Sequence, residues 1–173
     1  MAIKKIHTYP DPVLRQKVET VTCFDESLKQ LAHDLAETMY AAPGAGLAAN
    51  QIGVCLRVVV IDISASEDEK KPLVLVNPEI VEQEGCQVDE EGCLSVIDFT
   101  ANVERYTRLL VRAQDLDGKT WEFPAEDFFA RVIQHELDHL QGVLFIDHLS
   151  PLKRTLYKRR LKKLLREQEE GSS

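Results

Sequence analysis

The chain has 173 residues, 44% of them apolar and 29% charged, the make-up of a globular domain whose core needs no disulfide staples. Its formal charge is −8, and no apolar run approaches the roughly 18 residues that a membrane-spanning helix requires. The opening Met-Ala-Ile-Lys-Lys-Ile-His has no apolar core or small-residue cleavage site, so a cytoplasmic protein with Cys23, Cys55, Cys86 and Cys93 reduced is expected.

Tyr9-Pro10-Asp11-Pro12 predicts an extended approach, because each residue before a proline is pushed out of the helical region. Asp25 or Ser27 can cap a helix running to about Tyr40, with Leu28, Leu31, Leu35 and Met39 along one face. Ala42–Gly46 then opens a glycine-rich turn. Val54–Ile63 predicts a buried strand, and the charged loop Ser64–Lys71 separates it from a second at Leu73–Val76. Asn77-Pro78 should close that strand, with Ile80-Val81 extending the pairing. Tyr106–Ala113 and Thr120–Phe123 predict a hairpin turning at Asp117-Gly118. Ala125–Gln141 has helical period and stops at Gly142. Ser150-Pro151 starts a final helix, with a polar tail from about Glu167. The expected fold is a single α+β domain, antiparallel strands packed around a central helix, with catalytic residues 1–150 followed by a basic helix and tail at 151–173.

Gln134-His135-Glu136-Leu137-Asp138-His139-Leu140 carries the strongest chemical signal. His135 and His139 are four positions apart and share a helix face, while Glu136 projects about 100° away. That places two neutral imidazoles on a metal and a carboxylate near its open coordination position.

Two further segments sharpen the picture. Gly44-Ala45-Gly46-Leu47-Ala48-Ala49-Asn50-Gln51 and Glu90-Glu91-Gly92-Cys93-Leu94-Ser95 precede the helix motif. In this order and spacing the three motifs closely resemble the peptide deformylase family, and the resemblance runs from Tyr-Pro-Asp-Pro to Gly-Val-Leu-Phe-Ile-Asp after the helix. It implies a hydrolase that removes the formyl group from N-formylmethionyl nascent peptides. Cys93, His135 and His139 would bind one divalent ion, Fe²⁺ by resemblance, with Zn²⁺, Ni²⁺ or Co²⁺ able to take its place. A metal-bound water would attack, Glu136 would act as general base and then acid, and Gln51 with the Leu94 amide would meet the developing oxyanion. Glu91 and Asp138 are the carboxylates near enough in sequence to orient the imidazoles, and Arg105 can pair with Glu91. Ala45 and Gly46, with Phe128, Arg131 and Val132 on the helix, would border the methionine pocket, the Arg131 stem lining it while its guanidinium reaches water. Ile97-Asp98 departs from the family's usual Pro-Gly or Pro-Glu, removing a residue with ready access to positive φ where bound peptide should pass.

Charge is polarised: residues 1–150 carry −13, residues 151–173 carry +5, and every basic group of the latter lies within Lys153–Arg166. Arg159, Lys162, Lys163 and Arg166 share one side, while Leu152 and Leu156 can dock on the body. The resemblance implies attachment to the ribosome and its RNA through this helix. Two other readings stand beside the first. A general metallopeptidase would draw a third ligand from beyond the helix, such as Asp147 or His148; a ribosome- or RNA-binding module would close four protein ligands around structural zinc.

Overall fold

The computed structural model describes residues 3–64 and 69–171; residues 65–68 of the predicted charged loop lie outside it. In chain order the elements are helix α1 (Glu26–Ala41), strands β1 (Gly46–Ala48), β2 (Val58–Ile61), β3 (Leu73–Glu84), β4 (Gln87–Cys93), β5 (Val96–Arg105), β6 (Arg108–Gln114) and β7 (Thr120–Glu126), then helices α2 (Asp127–Leu140) and α3 (Pro151–Gly171). Five strands form one antiparallel sheet in the order β1-β2-β3-β6-β7, and β4 and β5 pair separately.

All four residues of β2 are buried, since helices cover both faces of the sheet at that point. Val58 and Val60 pack with Leu28, Leu35 and Met39 of α1. Val59 and Ile61 pack with Ala130, Ile133, Leu137 and Leu140 of α2. Alternation along one short strand thus fixes the layers, with the motif helix on one side and α1 on the other. The Asp25 carboxylate caps α1 through the Leu28 amide at 3.2 Å, and Gly142, at φ +73°, follows the end of α2.

Several boundaries differ from expectation. The first predicted strand keeps only Val58–Ile61, because Val54–Leu56 makes loop contacts instead: Val54 N–H donates to Ala49 O and Cys55 O accepts from Glu19 N–H. The second runs on through Asn77-Pro78 to Glu84 with register shifts. Asn77 sits at φ 51° there, and its side chain bonds Val21 N, Val21 O and Gln114 Oε1, so a bulge replaces the expected stop. The β6–β7 hairpin and α2 match their predictions within two or three residues, and α3 continues through the predicted polar tail to Gly171. The β4–β5 hairpin has no counterpart among the predicted strands.

A third buried cluster holds this hairpin and α3 in place. Val96 and Val103 pack with Leu14, Leu144, Phe145, Ile146, Tyr157 and Leu161. The Phe99 ring lies 4.7 Å from Tyr157 and 6.1 Å from Phe145, centroid to centroid. Tyr157 and Leu161 therefore anchor α3, whereas Leu152 and Leu156 are 70% and 53% exposed, against the expectation that they dock. Among the described residues no helix is long and apolar enough to cross a membrane.

Candidate metal centre and cleft

Helix α2 presents His135 and His139 one turn apart, their Nε2 atoms separated by 3.3 Å. Cys93, at the end of β4, brings its Sγ to 3.3 Å from His139 Nε2, and the three ligand atoms all lie within 4.8 Å of one another. Two nitrogens bound tetrahedrally to one ion at about 2.0–2.1 Å stand about 3.3–3.4 Å apart, so the donor set suits a transition metal. Glu91 accepts a hydrogen bond from His135 Nδ1 at 2.9 Å, which leaves the Nε2 lone pair facing the other two donors. Burial lowers the pKa of His135, but hydrogen bonds to Cys93 and Glu91 outweigh it and push it up; burial and the neighbouring His135 charge pull His139 down. The pair has room for one shared positive charge, which a divalent ion can supply in place of a proton. Among the described residues this is the one cluster of histidine, cysteine and carboxylate groups suited to an ion.

Glu136 is buried beside the ligands, and burial raises its carboxyl to about 7, with the charges of His135 and Arg105 opposing. A Cβ on Gly46 would stand 2.8 Å from Glu136 Oε1, and one on Gly44 2.8 Å from Leu94 Cδ1. Gly44 and Gly46 are therefore small to let the chain entering β1 pass Leu94 and the Glu136 carboxylate. Glu136 Oε2 is buried and has no hydrogen-bond partner among the described residues.

The Gln51 carboxamide is locked in orientation. Its Oε1 accepts from Ala48 N–H at 2.9 Å, so Nε2 points the other way, toward Ser95 Oγ at 2.9 Å and Cys93 Sγ at 3.8 Å. Ser95 N–H also reaches Cys93 Sγ at 3.4 Å, an amide donor suited to an anionic sulfur. Leu94 lies in the turn between β4 and β5, directly after Cys93. The structure brings Cys93, His135, His139, Glu136, Gln51 and Leu94 together from three places: helix α2, the β4–β5 hairpin and the turn at Ala49–Ile52.

The remaining predicted residues divide. Ala45, Gly46, Phe128, Arg131 and Val132 all line one cleft of about 860 Å³ that opens beside Cys93 and Glu136. Phe128 stands at its mouth, 57% exposed, and Val132 is buried. The Arg131 guanidinium does not reach water as expected: it is buried against Glu91 Oε2 at 2.5 Å. Arg105 pairs with both oxygens of Glu91, at 2.8 and 2.9 Å. Asp138 orients neither ligand imidazole; its Oδ2 binds Arg105 at 2.6 Å and His148 at 2.8 Å. Of Ile97-Asp98, Asp98 lines the cleft, and it adopts φ 52°, a conformation that its short polar side chain tolerates. Asp147 pairs with Arg15 and His148 with Asp138, so neither completes the metal set.

Sequence reasoning passed over Asn50, Ser95 and Gln134 as site residues, although each sits inside a quoted motif. Asn50 Nδ2 donates to the His139 carbonyl at 2.6 Å. Gln134 pairs with both backbone groups of Tyr106 at 2.9 Å, in the manner of a strand. Their signal was a carboxamide on an apolar helix face or turn, which has to find partners once buried.

A thiol and two imidazoles around one point, with a buried carboxylate beside them and a cleft in front, define a metallohydrolase. A sequence model described as polypeptide deformylase matches residues 3–155. A peptide deformylase of Desulfotalea psychrophila is 57% identical over 94% of this chain and 97% of its own length, and one of Acidobacterium capsulatum is 51% identical over 96% and 98%. The crystal structure of a peptide deformylase from Legionella pneumophila superposes with a TM-score of 0.90 at 49% identity, covering 97% of this chain and 98% of that one. The chain belongs to the polypeptide deformylase family, and it is an enzyme of that kind, a metal-dependent hydrolase of N-formyl groups.

Proposed function

We propose that Cys93, His135 and His139 hold one divalent ion and that the cleft beside them binds N-formylmethionyl peptides for hydrolysis of the formyl amide. The ion, when bound, supplies a Lewis acid and makes a water acidic near neutral pH. Glu136 takes the proton from the attacking water and hands it to the departing amine, a task suited to a buried carboxyl near 7 with one oxygen unpartnered among the described residues. The Gln51 carboxamide and the Leu94 N–H donate to the formyl oxygen as it gains charge. Glu91 keeps the proton of His135 on Nδ1, and Arg105 holds Glu91. Phe128 and Val132 give the methionine side chain an apolar wall, with Ala45 and Gly46 along the opposite edge.

The Glu136 carboxylate, buried beneath Gly46 next to the three ligand atoms, carries this reading. Formate release from formyl-Met-Ala-Ser, set beside cleavage of casein, tests it. Formate without casein fragments is expected; internal peptide cleavage would favour a general peptidase.

The native ion is read as Fe²⁺, on the family resemblance, because the intrinsic stability order favours zinc, nickel and cobalt on the same ligands. Anaerobic purification with metal analysis and turnover measured together checks it, and equal turnover by aerobically prepared zinc enzyme would count against iron. The protein is placed in the cytoplasm, with residues 1–150 as the catalytic unit and 151–173 as its basic helix and tail. That helix exposes Arg159, Lys162, Lys163 and Arg166 on one side, a stripe suited to ribosomal RNA. Replacing these four by glutamate should abolish co-sedimentation with ribosomes at low salt; unchanged co-sedimentation would sink the idea.

A further inference from the structure

Arg131 lies one helical turn before His135, so both side chains leave α2 on the same face, toward the β4–β5 hairpin. Arg131 is 3% exposed, and its guanidinium spans both strands. Nη1 donates to Glu91 Oε2 at 2.5 Å and to Val103 O at 2.9 Å, and Nη2 donates to Gln87 O at 3.3 Å. Gln87 and Glu91 share one face of β4, since their spacing is even, and Val103 pairs with Asp89 between them; Cys93 follows Glu91 by two residues, across a register shift. One helix side chain is thereby bolted to the hairpin at three points, one of them Glu91, two residues upstream of the thiol.

Glu91 shows why a second arginine is needed. An ionised carboxylate offers about four acceptor positions. Oε1 serves His135 Nδ1 and Arg105 Nη2; Oε2 serves Arg105 Nε and Arg131 Nη1. Arg105 belongs to the hairpin and reaches α2 only through Asp138, whose side chain is 23% exposed. Arg131 belongs to α2 and reaches the hairpin where water is excluded.

We propose that Arg131 is a positioning residue of the metal centre, which fixes Cys93 and the Glu91–His135 hydrogen bond against α2 and so sets how firmly the ion is retained, rather than a residue that reads substrate. The inference rests on Cys93, His135 and His139 being the ligands.

The test loads the full-length protein and its R131Q and R131K variants with Co²⁺. It measures ion loss to a chelator, the thiolate-to-cobalt absorption band, and kcat and KM for formyl-Met-Ala-Ser. R131Q should release the ion about 10–100-fold faster, with a shifted band, a lower kcat and little change in KM. R131K should fall between, because an ammonium can keep Glu91 but cannot span all three acceptors. Release and spectrum as in the parent protein, or a raised KM with kcat unchanged, would overturn the proposal in favour of a pocket lining. L28A, in the core beneath α1, serves as the destabilised control; ion loss from it as fast as from R131Q would also overturn the proposal. Should R131Q not fold, R131K decides alone: faster release with a shifted band supports the tie, and parental behaviour refutes it. Absence of a thiolate band in the parent protein would instead strike at the ligand assignment.

Discussion

Helix α2 and the β4–β5 hairpin bring two imidazoles and a thiol to the same point, yet different forces hold them there. Helix α2 lies in the apolar core, with Ala130, Ile133, Leu137 and Leu140 buried against the sheet, so the spacing of its two histidines follows from helix geometry alone. The hairpin is a two-stranded sheet that carries Asp89, Glu90, Glu91 and Glu104, and a pair of strands is marginal by itself. Val96 and Val103 anchor it in an apolar cluster, and ion pairs among Arg105, Arg131 and Glu91 tie down the same buried face that carries Val103. The two imidazoles are thus set by local structure, whereas the thiol depends on tertiary contacts that are largely ionic.

If α2 supplies the chemistry as well as two ligands, its carboxylate should be separable from metal retention. Glu136→Gln keeps the shape and removes the base, so kcat should fall roughly 10²–10⁴-fold while the metal content stays that of the parent protein. Formate release and metal analysis on one preparation check both halves. Activity near the parental level would remove Glu136 from the mechanism.

The Gln51 turn belongs to neither region and bridges them: the Gln51 carboxamide bonds the hairpin through Ser95 and Cys93, while Asn50 bonds the His139 carbonyl of α2. If Gln51 donates to the oxyanion as proposed, kcat of Gln51→Ala should drop on the order of 10²–10³-fold. An unchanged kcat with faster metal loss would mean that the carboxamide is only a strut for the Cys93 turn.

The same contrast explains what could be read without coordinates. The period of α2, its motif and its stop at Gly142 are local signals, and so are the Asp25 cap and the Asp117-Gly118 hairpin. The hairpin that carries Cys93 gave no strand signal, because Gln-Val-Asp-Glu-Glu-Gly-Cys is charged on alternate and adjacent positions alike. It pairs because buried arginines receive Glu91, a fact of tertiary structure. Asn77-Pro78 misled for a related reason: the bulge it forms is satisfied by Val21 and Gln114, remote in sequence. The grouping of Cys93, His135 and His139 with Glu136 and Gln51 was legible from motifs, whereas the Asp138–His148 contact and the buried Arg131 head were not, since side-chain direction follows from packing.

Acid should attack the hairpin before the helix. Burial alone would raise the Glu91 carboxyl, but hydrogen bonds from Arg105 and His135 outweigh it and hold it at about 2, below its ordinary 4.5. A folded-state value below the unfolded one gives stability that is complete above about pH 4.5 and is lost as pH falls toward 2. The span corresponds to about 3 kcal/mol, an upper figure for so strongly paired a group. Denaturation midpoints measured from pH 7 down to pH 3 should fall steeply for the parent protein and with a shallower acid slope for Glu91→Gln. Equal slopes would show that other carboxylates govern acid unfolding.

The smallest expected effect lies on α3, where exposure separates two apolar pairs on one helix. Tyr157 and Leu161 are 1% and 4% exposed and join Val96, Val103 and Phe145 behind the hairpin. Tyr157→Ala should therefore cost about 3 kcal/mol and loosen the support on which Phe99 rests. Leu152→Ala and Leu156→Ala, at surface positions, should each change stability by no more than about 0.5 kcal/mol. Urea midpoints of the three variants settle the ranking. A large loss for Leu152 or Leu156 would mean that these side chains are covered in solution, and α3 would then be held to the body by more than the wall behind Cys93.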